Sequence, residues 1–401
     1  MWFRLLPVMF YNATRGFGVA SFMLLYPLYL LSIGYTTSDI GLFATLGAIP
    51  VVLLIPLFGY LVDNGFSREV LFSSGVFLSL ALILPTLFPT YPVLILSYTL
   101  LNTSMYTWMP SRTKIIAYLV PATMLGRVYA LFIVPFNSAR TATPLVLSRL
   151  TYIGYDKLML TIGTLLLVTS TLLYMLLRVK VEEPVSKSFH VSGLAENYRN
   201  LFTFFGKSAL PLVLFVSLDS FAWRLWFPLL NAYFKQYRGF GDTQIGDYMT
   251  LQSLAMLIAS YTAGSITDKL RPVRSLAIYE VLGVLGVAAL QLNPPYTFIA
   301  AIILGFSIAF WVTAYNSLLT ILYGYGVIGR LRALTDTTRS IASIPAPQIG
   351  GYLLLLSPVL PFAVSATAML LAIVPIAMVR EERSGEEGLG GRGSGYVVGT
   401  A

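Results

Sequence analysis

Apolar residues run along this chain in twelve long blocks separated by short polar stretches. The blocks cover about residues 5–32, 40–62, 69–88, 92–111, 128–150 and 157–178, then 208–235, 243–267, 274–292, 296–323, 333–355 and 359–379. A helix needs about 20 residues to cross about 30 Å of hydrocarbon. The pattern therefore predicts an all-α membrane protein with twelve transmembrane helices. One long polar stretch, 179–207, divides an N-terminal six-helix bundle (1–178) from a C-terminal one (208–380). Within it, Val191 to Phe205 is a candidate surface helix. The tail, 381–401, is rich in Gly, Glu and Ser and is predicted to be disordered. The first block contains Arg15 and lacks a small-residue cleavage site, so it reads as a retained helix, not a secretory signal.

The two sets of six blocks are copies. Gly59-Tyr60-Leu61-Val62-Asp63, with Arg68 after it, recurs 205 positions later (59 to 264) as Gly264-Ser265-Ile266-Thr267-Asp268, with Arg271 and Arg274 after it. Ile40-Gly41 opens the first of these blocks and Ile245-Gly246 the second. Gly126-Arg127 resembles Gly329-Arg330, and Pro144 matches Pro347 at an offset of 203 (144 to 347). A membrane chain made of two parallel repeats is the signature of a transporter whose halves rock about a shared site.

Charge fixes an orientation. Lys and Arg number eighteen in one set of loops, and only Arg149, Lys157, Lys235 and Arg238 lie in the other. The positive-inside rule then places both termini and the linker, 179–207, in the cytoplasm. The chain is 57% hydrophobic and 11% charged, so its net charge of +9 reads as topology and not as nucleic-acid binding. Cysteine is absent and His190 is the single histidine, which argues against a metal centre. No nucleotide-binding glycine–lysine loop appears, and no cofactor is expected. The expected partners are a small-molecule solute, membrane lipid and a coupling proton, with the chain working as a monomer.

Asp63 and Asp268 each close a helix, where a carboxylate opposes the helix dipole. Finding this twice implies an outside partner, and Gly59 and Gly264, one turn earlier, leave room for one. The repeated Gly-x-x-x-Asp pattern, with basic residues after it, resembles the loop signature of the major facilitator superfamily. The resemblance covers residues 1–380 and departs from the family pattern at Asn64, where a basic residue is usual, at Ser67, and in the second copy at Leu270, where the later glycine is lacking. It implies alternating access by two pseudo-symmetric six-helix bundles. It also implies cytoplasmic latches, Asp63 with Arg330 and Asp268 with Arg127, in a gate that includes Arg68 and Arg271.

Four arginines fall inside predicted helices: Arg15, Arg140, Arg224 and Arg339. A charge at the bilayer centre costs several kcal/mol, so each should face protein or a wet cavity. Arg15 and Asp219 both lie about 16–18 Å deep, counting from Arg4 and Lys207, and are expected to pair. Arg339 is expected to pair with Asp336, three residues away, as part of the gate. Glu280 reads as a shallow interfacial charge. Asn12 and the aromatics Tyr11, Tyr106, Trp108, Trp223, Trp226 and Tyr315 fall on helices that line the cavity in the family. Arginines outnumber acids, so the sequence points to an anionic solute held by Arg15, Asn12, Arg140, Arg224 and Asp219, with Asp219 as the proton-coupling group. An enzyme would need a nucleophile–base pair or a metal constellation that the chain does not offer. A passive channel gains nothing from a bent, gated repeat. Proton-driven efflux of apolar or cationic compounds, and a sensor on the same scaffold, are the competing readings.

Overall fold

The computed structural model describes residues 2–119, 125–180 and 210–379. Thirteen α-helices and no strand lie within them. The first half holds α1 (Trp2–Ser32), α2 (Thr37–Asp63), α3 (Ser67–Leu87), α4 (Tyr91–Leu119), α5 (Leu125–Leu147) and α6 (Tyr155–Lys180). The second holds α7 (Leu210–Arg224), α8 (Leu230–Tyr237), α9 (Asp242–Leu270), α10 (Pro272–Ala289), α11 (Thr297–Ser343), α12 (Ala346–Leu356) and α13 (Leu360–Ala377). The linker helix, His190 and the tail lie outside the described residues. Lipid offers the backbone no hydrogen bonds, so each crossing must satisfy its own peptide groups, and a helix does this. Seven helical stretches are long and apolar enough to cross a membrane on length and composition alone. The thirteen helices are consistent with twelve crossings, since two crossings are built from more than one helix.

Those two crossings break at prolines, which cannot donate a backbone hydrogen bond. The seventh runs through α7, a turn, a short 3₁₀ segment Phe227–Leu229 containing Pro228, and α8. The eleventh leaves α11 at Ser343, turns at Ile344-Pro345 and resumes as α12. Pro27, Pro50, Pro56 and Pro135 sit in unbroken helices. The breaks are adjacent in space. A Cβ on Gly350 of α12 would lie 1.7 Å from the Leu225 carbonyl oxygen, so only glycine allows this approach. In α11 the tenth crossing continues without interruption into the inner half of the eleventh, which the sequence separates at 323 and 333.

Packing repeats between the halves. In the first, α1 packs on α5 and α6, α2 on α4, and α3 on α4 and α6. In the second, α7 packs on α11 and α13, α9 on α11, and α10 on α11 and α13. Helix starts repeat as well: the Asp39 carboxylate accepts from the Thr36 N–H at 2.8 Å, and the Gln244 amide oxygen from the Gly241 N–H at 2.9 Å. Two pseudo-symmetric bundles result. They meet chiefly through α2 against α12 and α5 against α9.

Candidate functional site

The repeat-matched glycines and prolines make the crossed contacts between the bundles. A Cβ on Gly41 would sit 2.3 Å from the Pro347 carbonyl oxygen, and one on Gly246 would sit 2.5 Å from that of Pro144. Polar ties surround them. Asn231 donates to the Met23 carbonyl at 2.7 Å, and the Gln348 N–H donates to Thr45 Oγ1 at 3.0 Å. Thr37 donates to Gln236. At the rim Arg149 pairs with Asp247 at 2.9 Å, and the Tyr155 hydroxyl donates to Asp242 at 2.6 Å. Burial pushes the Asp242 carboxyl up, but hydrogen bonds from Lys235, Tyr155 and Thr151 prevail and hold it below the ordinary aspartate value. One apolar core also runs across this end, joining Leu25, Phe43 and Leu147 to Leu229, Ile245 and Ala346. The end away from the Gly-x-x-x-Asp turns is therefore sealed.

The end that carries those turns is arranged differently. No described atom lies within 4 Å of a Cβ built on Gly59 or Gly264. Asp63 is exposed and lies 3.7 Å from Lys114, while Asp268 is exposed with no ion pair among the described residues. The side chains of Arg127 and Arg330, the expected latch partners, lie outside the described set. Arg68 is half-buried, and Arg271 takes a left-handed backbone conformation with φ +72° between α9 and α10.

The buried charges are not paired as the sequence suggests. Arg15 does not meet Asp219. It donates to the Ser74 carbonyl at 2.7 Å and to the hydroxyl and carbonyl of Ser104, all inside the first bundle. Three fixed acceptors hold its two terminal nitrogens without an acid, and Nε is left without a partner among the described residues. Asn12 is also interior, accepting from the Trp108 indole at 3.2 Å, and Tyr11 bonds to Leu71 and Ser74. Asp219 accepts from the Tyr279 hydroxyl and lies 3.7 Å from Arg339. Arg339 also lies 3.9 Å from Asp336, donates to Ser220 at 2.9 Å and sits 4.4 Å over the Trp311 ring. The expected Arg339–Asp336 pair is thus present, as one contact of several.

Two further residues depart from expectation. Glu280 is not exposed as an interfacial charge would be. It is wholly buried, neither carboxylate oxygen has a hydrogen-bond partner among the described residues, and Asp219 is its charged neighbour. Depth along α10 told nothing of which way the side chain points. Arg112, one residue beyond the apolar block 92–111, is buried within α4 and stacks 4.3 Å over Trp108, because α4 runs on to Leu119.

Two cavities lie on the path between the bundles. The larger, about 260 Å³, is walled by Phe22, Tyr98, Asn102, Arg224, Met249 and Gln252 among others. The smaller, about 120 Å³, is lined by Tyr106, Ser220, Trp223, Arg224, Asp336, Arg339, Ser340 and Ser343. Tyr106 and Ser340 hydrogen-bond across the bundles at 2.7 Å. Arg224 is common to both cavities and makes no hydrogen bond or ion pair among the described residues; nor does Arg140, half-buried on α5. Arg15 and Asn12 line neither. Tyr98 and Gln252 escaped the sequence reading. A signal existed for Gln252: it lies ten residues into α9, roughly 15 Å deep, as an isolated amide in an apolar run.

Solved structures share this architecture. A nucleoside transporter, NupG, superposes with a TM-score of 0.76 at 13% identity, covering 94% of this chain and 99% of its own. A bacterial homologue of the iron transporter ferroportin, in an inward-facing state, gives 0.73 at 16% identity, covering 94% and 98%. A bacterial homologue of the human lysosomal transporter Spinster, inward-facing and unoccupied, gives 0.66 at 10%, covering 94% and 95%. At these identities the likeness establishes the fold alone. No curated protein sequence matches the chain. The sequence profile of the Major Facilitator Superfamily does match, over residues 8–347, and with the duplicated bundles it shows that the chain is a multi-pass membrane protein belonging to that superfamily.

Proposed function

We propose that this chain is a secondary active transporter that moves an anionic solute by alternating access. The observation that carries the reading is Arg224, a cation on the wall of both cavities with no partner among the described residues. Arg224 is half-buried on that wall, and an anionic ligand would give its guanidinium the charged, bidentate partner it lacks. Arg15 and Arg339 already have partners and do not select for charge in the same way. Arg140, also without a partner among the described residues, lines neither cavity. The sealed end supports an inward-facing state once the positive-inside orientation puts the Gly-x-x-x-Asp turns in the cytoplasm.

Coupling to protons is part of the proposal. Asp219 lies against Arg339 and is the charged neighbour of the buried Glu280, so adding or removing a proton on this pair of acids would change how firmly Arg339 is held. Asp63 and Asp268 would form their latches in the opposite, outward-facing state, when Gly59 and Gly264 close on the other bundle. Uptake into proteoliposomes of phosphate, carboxylates and lipophilic cations, with and without an imposed pH gradient, tests the reading. Anion uptake that Arg224→Ala abolishes supports it, and loss of gradient dependence in Asp219→Asn supports the coupling site. Uptake confined to lipophilic cations would instead establish the efflux reading.

A further inference from the structure

The larger cavity carries more chemistry than one arginine. Two of its wall residues are more than nine-tenths buried and have polar atoms without a hydrogen-bond partner among the described residues: the Tyr98 hydroxyl on α4 and the Gln252 amide nitrogen on α9. Buried polar groups are nearly always hydrogen-bonded, because each orphan retains its full desolvation cost. Two such side chains and a guanidinium without a partner among the described residues share the wall of one cavity, which gives a ligand there donors to meet. They also come from opposite bundles, Tyr98 from the first and Arg224 and Gln252 from the second.

The wall composition selects among anions. Arg224 is the single charged residue on it, and no acid faces the cavity among the described residues. A dianion such as phosphate would need a second cation. Arg339 is engaged by Asp219 and Asp336, and Arg15 is tied to Ser74 and Ser104. One carboxylate fits the available donors: two N–H groups of the arginine fork, the tyrosine O–H and the glutamine N–H match about four acceptor sites on its two oxygens. The rest of the wall is apolar, with Phe22, Met23, Leu101, Phe227 and Met249 facing the space. A volume of about 260 Å³ lies just below the usual range of small-molecule pockets.

We infer that this cavity binds a monocarboxylate with a compact apolar body, its carboxylate on Arg224, Tyr98 and Gln252. This deepens the anion-transport reading and rests on it. The ligand would also join the two bundles through hydrogen bonds to both, which couples its presence to their relative position.

The test is a thermal-shift titration of the purified full-length protein with benzoate, benzamide, inorganic phosphate and tetraphenylphosphonium. Benzoate should raise Tm in a concentration-dependent way. Benzamide, the neutral counterpart, and phosphate should not. Arg224→Gln should abolish the benzoate shift. Tyr98→Phe and Gln252→Leu should each weaken benzoate by about tenfold in Kd. Because both groups are orphans without ligand, Tyr98→Phe should leave the ligand-free Tm unchanged or higher, which a packing role for the hydroxyl would not allow. A phosphate shift that Arg224→Gln removes, with none from benzoate, overturns the substrate class and keeps the anion reading. A shift from tetraphenylphosphonium alone overturns both. A benzoate shift that survives Tyr98→Phe and Gln252→Leu undiminished overturns the assigned site.

Discussion

The two bundles share one packing plan but treat their buried arginines in opposite ways. Arg15 in the first is held by two carbonyls and a hydroxyl of α3 and α4, with no ion pair among the described residues. Arg339 in the second sits among Asp219, Asp336, Ser220 and the face of Trp311. Carbonyl acceptors do not titrate in any accessible range, whereas carboxylates do. The comparison teaches that one bundle holds its buried arginine with neutral acceptors and the other with carboxylates, the arrangement that the proposed proton coupling requires. Duplication supplied two equivalent frames, and among the described residues only the second sets carboxylates against its buried arginine.

The largest expected effect breaks that comparison most directly. Arg339→Gln leaves the Asp219 carboxylate buried without its cation and should cost about 3 kcal/mol, seen as a fall in Tm. Adding Asp219→Asn should restore most of the loss. Arg15→Gln should destabilise by a similar amount, but Asp219→Asn should give no rescue, because those two sites do not touch. Rescue of Arg15→Gln would reinstate the pairing suggested by depth alone.

Next come the crossed contacts of the sealed end. Gly41→Ala and Gly246→Ala each drive a Cβ into the backbone of the other bundle, a strain of about 1–3 kcal/mol. Both should shift the population toward the outward-open state, read by accessibility labelling from each side. Equal shifts confirm that the seal is symmetric, and a shift in one alone shows that a single interface governs closure.

A smaller effect belongs to the turns. In the first repeat the left-handed residue is Gly65, with φ +85°, and in the second it is Arg271, with φ +72°. Arginine there is strained, so Arg271→Gly should raise stability by about 1 kcal/mol, measured as an increase in Tm. Smallest is the pH response of the rim. Asp242 lies outside the membrane spans and ties α9 to Tyr155 of the first bundle. Its folded value lies below the unfolded one, so its contribution is complete above about pH 3.9 and is lost as the pH falls through the depressed value. Since Lys235 is largely solvated, this amounts to less than about 1 kcal/mol, and Asp242→Asn should remove it at neutral pH but not at strongly acid pH.

The fold was legible because lipid leaves so few choices. Block length gave the helices, and the doubled Gly-x-x-x-Asp pattern gave the two bundles. The pairing of Gly41 with Pro347 and Gly246 with Pro144 was half visible, as matched residues but not as contacts. Charge partners were hidden for a physical reason. Depth along a helix follows from counting residues, but azimuth depends on which helices pack on either side. Arg15 and Asp219 share a depth and face different neighbours. Glu280 lies at a shallow depth and points inward. Arg224 stood out as a charge without a loop, whereas Tyr98 looked like any aromatic in an apolar run.

The central claim is that a positive charge at position 224 selects the solute. Because the chain has no cysteine, Arg224→Cys gives one thiol whose charge can be set chemically. Anion uptake into proteoliposomes should be lost in this variant, return when an aminoethyl thiosulfonate adds an ammonium group, and stay absent when the sulfonatoethyl reagent adds a negative one. Uptake that persists in the unmodified variant, or that returns equally with either reagent, would contradict the account.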